Sequence, residues 1–170
     1  MRVWRLCELL AAMVLAAGCA SYSGRGLQPG LASLEDVLAT MGTPALRWNM
    51  AGGGVQLSYP RGPEGMHSFM VWIGRDGRLE RIKNVLVPEY FDRIRAGMPP
   101  DEVLQVLGPP VPYWTTFFPV RQERVWEWRI CDRFNPARFV VLMDAESQRV
   151  RGTFIYHDIQ GPEGEPLCTL

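Results

Sequence analysis

Residues 97–110, Gly-Met-Pro-Pro-Asp-Glu-Val-Leu-Gln-Val-Leu-Gly-Pro-Pro, permit little besides a short helix with both ends written into it. Pro99 or Pro100 suits the first helical position, where a missing N–H removes no hydrogen bond, and Asp101 and Glu102 follow in the first turn, where the helix dipole favours carboxylates. Val103 and Leu107 lie one turn apart on a buried face. Gly108 is placed to take a left-handed conformation past the end, and Pro109 and Pro110 forbid continuation.

The same punctuation occurs earlier, in residues 30–44, Gly-Leu-Ala-Ser-Leu-Glu-Asp-Val-Leu-Ala-Thr-Met-Gly-Thr-Pro. Ser33 and Asp36 make a Ser-x-x-Asp capping signal, and Leu34, Val37, Leu38 and Met41 recur at helical spacing before Gly42 and Pro44. A shift of 66 residues lays Asp36-Val37-Leu38 on Glu102-Val103-Leu104, Met41-Gly42-x-Pro44 on Leu107-Gly108-x-Pro110, and Trp48 on Trp114. Gly30 meets Gly97 after a one-residue adjustment before Ser33. Self-similarity at a fixed offset predicts two divergent copies of one unit, over residues 30–87 and 88–160.

Eighteen basic and eighteen acidic residues cancel and form no long run, so nothing in the charge pattern suits nucleic acid. The front of the chain has the form of an export signal: Arg2 and Arg5, an apolar run over residues 9–17, then Leu15-Ala16-Ala17-Gly18-Cys19-Ala20. This resembles a bacterial lipoprotein signal. The resemblance implies that residues 1–18 are removed, that Cys19 is acylated and heads the mature chain, and that Ala20 directs it to the outer membrane, facing the periplasm. Ordinary cleavage after Ala16-Ala17-Gly18, leaving a soluble periplasmic protein, is the alternative. Residues 19–29 form a tether and residues 161–170 a tail. Cys131 and Cys168 can pair in an oxidising compartment; equally, one can be a buried thiol and the other a tail thiol, and spacing does not choose between these. His67, His157 and the cysteines are too scattered for a zinc site. No cofactor is expected.

The remaining pattern alternates like strands. Residues 45–50, 55–59, 69–73 and 78–87 follow the first helix, with a two-residue hairpin expected at Asp76-Gly77. In the second unit a helix starts at Pro88, strands cover residues 114–118, 124–130, 138–143 and 149–157, and residues 131–136 form a loop. The fold class is α+β: two tandem ααβββ-type units, each with short helices packed on one face of an antiparallel sheet. Gly52-Gly53-Gly54 lacks the Lys-Ser/Thr of a phosphate cradle and opens no helix, so it is a loop.

Gly97-Met98-x-x-x-Glu102-Val103-x-x-x-Leu107-Gly108-x-Pro110, followed by Trp114, resembles the BamE/SmpA/OmlA family of small outer-membrane lipoproteins. The doubled unit is similar in plan to the secreted β-lactamase inhibitor proteins. The motif positions, Gly30, Val37, Met41, Gly42 and Pro44 in the first copy and Gly97, Met98, Val103, Leu107, Gly108 and Pro110 in the second, make the helices rather than a contact surface. The resemblance implies a non-catalytic accessory that binds envelope proteins, among them the β-barrel assembly complex. The chain departs from that family in carrying two units where the family has one.

Aromatic residues after each helix, Trp48, Tyr113, Trp114, Phe117 and Phe118, are the candidate partner contacts, because aromatics dominate binding hot spots; the same residues commonly fill cores. An inhibitor that occludes a hydrolase with residues 52–54 and 62–66 is the alternative function. Catalysis is not expected: His157-Asp158 is the one suggestive pair, and neighbours on a strand point to opposite faces.

Overall fold

Ser33 and Asp36 close a reciprocal capping box. The Asp36 N–H donates to Ser33 Oγ (3.1 Å) and the Ser33 N–H donates to Asp36 Oδ2 (2.8 Å). The Ser33 N–H first, and then the Ser33 hydroxyl, which donates to the same oxygen at 2.7 Å, hold the Asp36 carboxyl below its usual range. These bonds start α1, Leu34–Met41, in a computed structural model that describes residues 21–61, 65–157 and Cys168. The strands β1, Leu46–Asn49, β2, Val55–Pro60, β3, Ser68–Ile73, and β4, Leu79–Asn84, follow. The second unit has a single turn, α2, Pro88–Phe91, then α3, Pro100–Leu107. Its strands are β5, Thr116–Phe118, β6, Glu123–Asp132, β7, Asn135–Asp144, and β8, Val150–His157. Each unit is an antiparallel meander, β1-β2-β3-β4 and β5-β6-β7-β8.

The two units repeat in detail. Gly30 and Gly97 both have positive φ, and their N–H groups donate to the carbonyls of Leu79 and Val150, each at 2.8 Å. Arg78 Nη1 reaches the Leu31 carbonyl at 2.6 Å, and Arg149 Nη1 reaches that of Gly97 at 2.7 Å. The glycine closing each helix has its carbonyl capped from the sheet, Gly42 by Tyr59 Oη at 3.1 Å and Gly108 by Trp128 Nε1 at 3.2 Å. Burial pushes the Tyr59 phenol up to about 12.

Several local expectations are corrected. Gly42 (φ 81, ψ −160) and Gly108 (φ 76, ψ −175) have positive φ with extended ψ. This region belongs almost exclusively to glycine and sends the chain straight out of the helix rather than curling it left-handed. Asp76-Gly77 closes a three-residue loop, not a two-residue one: the Gly74 N–H donates to the Arg78 carbonyl, Gly77 takes φ 76, and the register shifts at Ile73. Residues 131–136 are no loop. Arg133 and Phe134 both adopt positive φ (48 and 67) and make a tight hairpin of β6 and β7, a conformation those side chains disfavour and the sequence therefore hides. Pro136 fits in β7 because, among the described residues, pairing with β8 starts only at Ala137, so none of them needs its missing N–H. Residues 112–114 form a 3-10 turn before β5. This added turn makes Thr116, not Trp114, the counterpart of Trp48 when the sheets are matched through Tyr59 and Trp128.

Val37 and Met41 of α1 pack on one face of the first sheet, against Leu57, Tyr59, Val71 and Ile73. Its other face, with Met70, Trp72 and Trp48, belongs to the larger core, where Val103 and Leu107 of α3 meet Trp128, Ile130, Phe139 and Val141 of the second sheet. Thus α3 lies between the sheets, and both faces of β2 and β3 are buried. Gln56 Nε2 donates to the Gln105 carbonyl across this seam at 2.6 Å. Full burial of Val103 and Leu107 stabilises the packing by about 1.5–3 kcal/mol each.

Candidate functional site

The chain leaving α3 is braced by Pro109, Pro110 and Pro112 and pinned to β6 where the Val111 N–H donates to the Glu127 carbonyl at 2.9 Å. Proline at the start of the 3-10 turn presets φ, so the segment is stiff. The next brace is the turn Pro119–Arg121, closed by Gln122 at φ 47. Between these turns the three-residue β5 has no room to bury its side chains. Tyr113 is 62% exposed, Phe117 46%, Phe118 40% and Val120 98%.

Of the predicted contacts, Tyr113, Phe117 and Phe118 are therefore exposed, the last two as strand neighbours on opposite faces of β5. Trp114 is half-buried, with the Arg138 guanidinium 4.0 Å from its ring centre and Tyr113 edge-on at 5.6 Å. Arg121 lies 4.8 Å over Phe118. Trp48 stands apart from this group: it packs against the larger core on the inner face of the first sheet.

Behind Tyr113 a cavity of about 310 Å³ opens where the two units meet, walled by Pro60, His67, Pro110, Pro112 and Trp128 among others. The volume is near the lower end for small-ligand sites and suits one ring-sized apolar group. His67 stacks on Phe69, with ring centres 5.9 Å apart. Burial first, then the charge of Arg61, holds its imidazole below the ordinary value, so His67 is uncharged at neutral pH, while Arg129 brings a cation to the same wall. Ser68 also lines the cavity, and its buried Oγ has no hydrogen-bond partner among the described residues; the same is true of Ser58 Oγ nearby. No hydrogen bond joins His67 to Ser68 among the described residues. The recess can hold an apolar group; among the described residues it does not assemble a nucleophile with a base.

The remaining predicted residues fall elsewhere. Val37, Met41, Val103 and Leu107 are buried, Met98 is partly buried against the core and accepts from the Val150 N–H at 3.0 Å, and Pro44 and Pro110 follow the helix-ending glycines. A disulfide joins Cys131 to Cys168, with Cα atoms 5.8 Å apart, and returns the tail to the end of β6. Cys19 and the signal segment lie outside the described residues, as does Asp158. His157 Nε2 instead sits 2.7 Å from Asp132 Oδ2 at the rim of the second sheet. An ionic cluster that no sequence pattern announces lies at the other end of the second sheet's strands β6 and β7. Buried Glu123 lies 3.3 Å from Arg121 and 3.8 Å from Arg151, and Arg151 also bonds Asp144. The Ser147 backbone N–H, and then Arg151, draw the Asp144 carboxyl far below its usual range. The alternation of β6 to β8 predicts which faces these charges share, but not that the faces close over Glu123.

Among the described residues no group of three or more His, Cys, Asp or Glu is placed to hold a metal, and no helix is long and apolar enough to cross a membrane. No protein-family model matches the chain, and neither a curated protein nor a solved structure does.

Proposed function

We propose that this chain is a non-catalytic, lipid-anchored outer-membrane protein that faces the periplasm and binds envelope proteins, the β-barrel assembly complex foremost, through the segment after α3. The observation that carries this reading is that Tyr113, Phe117, Phe118 and Val120 are all exposed within one short, proline-braced segment whose first member, Tyr113, borders an apolar cavity. Large apolar side chains held rigidly in water lose little entropy when a partner covers them, which is the economy of a hot spot. The Cys131–Cys168 disulfide is in keeping with an oxidising compartment, and the Leu-Ala-Ala-Gly-Cys signal accounts for both export and anchoring.

Affinity capture of the tagged chain from detergent-solubilised envelopes tests it, with Cys19→Ser and a Tyr113→Ser, Phe117→Ser, Phe118→Ser triple variant. Barrel-assembly subunits recovered by the wild type and lost from the triple variant would support the reading. Equal recovery by both would remove the surface from it. A soluble hydrolase recovered in place of those subunits would replace the reading with inhibition.

A further inference from the structure

Four strands end the two sheets, and three are guarded. The edge strand β1 has four residues, with Arg47 and Asn49 exposed. Glu80, Arg81 and Lys83 put charge along β4, and Gly30 and Ala32 hydrogen-bond to Leu79 at its start. The edge strand β5 has three residues between two turns. Short edges and charged edges are how sheets avoid adding strands. By contrast β8 is eight residues long, and Gly152-Thr153-Phe154-Ile155-Tyr156 contains neither charge nor proline. Phe154, Ile155 and Tyr156 are 47%, 37% and 52% exposed, so side chains on both faces of this strand reach solvent, and among the described residues no strand pairs with its outer edge.

The backbone bonds define which groups face out. Asp144 N–H donates to the Arg149 carbonyl, and Val150 turns both its N–H and its carbonyl away from β7, to Met98 and Gly97. Carrying the antiparallel alternation through the irregularity at Leu142/Met143 directs the N–H and C=O of Thr153, Ile155 and His157 outward. Among the described residues none of these backbone groups has a hydrogen-bond partner.

We propose that β8 pairs antiparallel with β8 of a second copy, about a two-fold axis at Ile155, joining the two second-unit sheets into one. In this register Ile155 opposes Ile155, Thr153 opposes His157, and all the outward groups of these residues are bonded across the axis. Phe154 then opposes Tyr156 of the other copy in the non-hydrogen-bonded pairs, where side chains approach closest and aromatic pairs contribute most. The pairing begins beyond Arg151, so it clears the loop of Gly97 and Met98 already seated on Val150. The strand is self-complementary: no like charges meet between Gly152 and Tyr156 in this register, and the β-branched residues share one face while the aromatics share the other. Such an isologous contact is closed and adds no further copies. Its area falls short of the roughly 800 Å² per partner of a stable interface, so the dissociation constant is expected on the order of 100 µM.

Sedimentation equilibrium of the full chain in density-matched detergent, from low micromolar to near millimolar, should show a monomer–dimer equilibrium. Backbone amide exchange at Thr153, Ile155 and His157 should slow as concentration rises. Ile155→Pro removes an outward N–H without touching the β7 ladder and should weaken the dimer at least about tenfold. Phe154→Glu with Tyr156→Glu places like charges opposite each other at solvent-exposed positions and should do the same, which guards against misfolding of the proline variant. A monomer throughout the range, or a dimer that both variants leave intact, would overturn the proposal.

Discussion

Replacing Gly108 by Ala tests how the two units are joined. Two costs add. Any residue other than glycine held at φ 76, ψ −175 is strained by about 1–3 kcal/mol. A Cβ there would lie 2.5 Å from Ser58 Oγ and 2.9 Å from Ser68 Oγ, closer than such atoms approach. Both serines are buried on the central strands of the first sheet, so relief requires shifting strand or helix, at about 1–3 kcal/mol. The expected loss is therefore about 2–6 kcal/mol, a large part of the stability of a domain this size. Gly42→Ala is the internal control. Gly42 has nearly the same dihedral angles, φ 81 and ψ −160, but a Cβ there would meet nothing within 4 Å, so only the backbone cost of about 1–3 kcal/mol applies. Urea unfolding followed by tryptophan fluorescence gives both values in one assay. Equal losses for the two variants, within about 0.5 kcal/mol, would refute the packing of the α3 terminus on the first sheet.

Ser33→Ala removes the reciprocal cap of α1 and should cost about 1 kcal/mol in urea unfolding, and carbon-detected NMR should show the Asp36 carboxyl titrating closer to its ordinary value. His67 predicts an acid sensitivity. Its folded imidazole holds a proton less well than the unfolded chain does, so between the folded value and the ordinary value of 6.5 the unfolded state binds more protons. Stability is then full above that window and is lost as pH falls through it. The urea midpoint of the wild type should drop between about pH 7.5 and pH 5 by more than that of His67→Asn, and parallel profiles would count against a buried, uncharged imidazole.

The helix ends and the duplication were legible because they depend on neighbours in the chain. Ser33 with Asp36, and Pro100 before Gly108, act within a few residues, and glycine or proline at such positions excludes nearly every other conformation. The predicted contacts were legible as a type and not as a surface. Tyr113 and Trp114 are adjacent, yet one is exposed and the other lies under Arg138, in a 3-10 turn that no alternation announces. Trp48 carries the same signal as Phe117 and packs against the core, because the face it occupies is covered by the second unit. The Arg133-Phe134 turn was hidden for another reason: its residues oppose the conformation that the flanking strands impose.

By itself the chain's order of residues determined the α+β class, the two capped helices and the antiparallel meanders, all consequences of local sterics, hydrogen-bond satisfaction and short-period hydrophobicity. Only the tertiary structure decided that α3 lies between two sheets, that the missing Cβ of Gly108 leaves room for Ser58 and Ser68, and that an apolar cavity opens behind Tyr113. Those features bring together residues from β2, β3, α3 and β6. Their contact energy depends on shape and distance across the fold, quantities that no local pattern in the chain encodes.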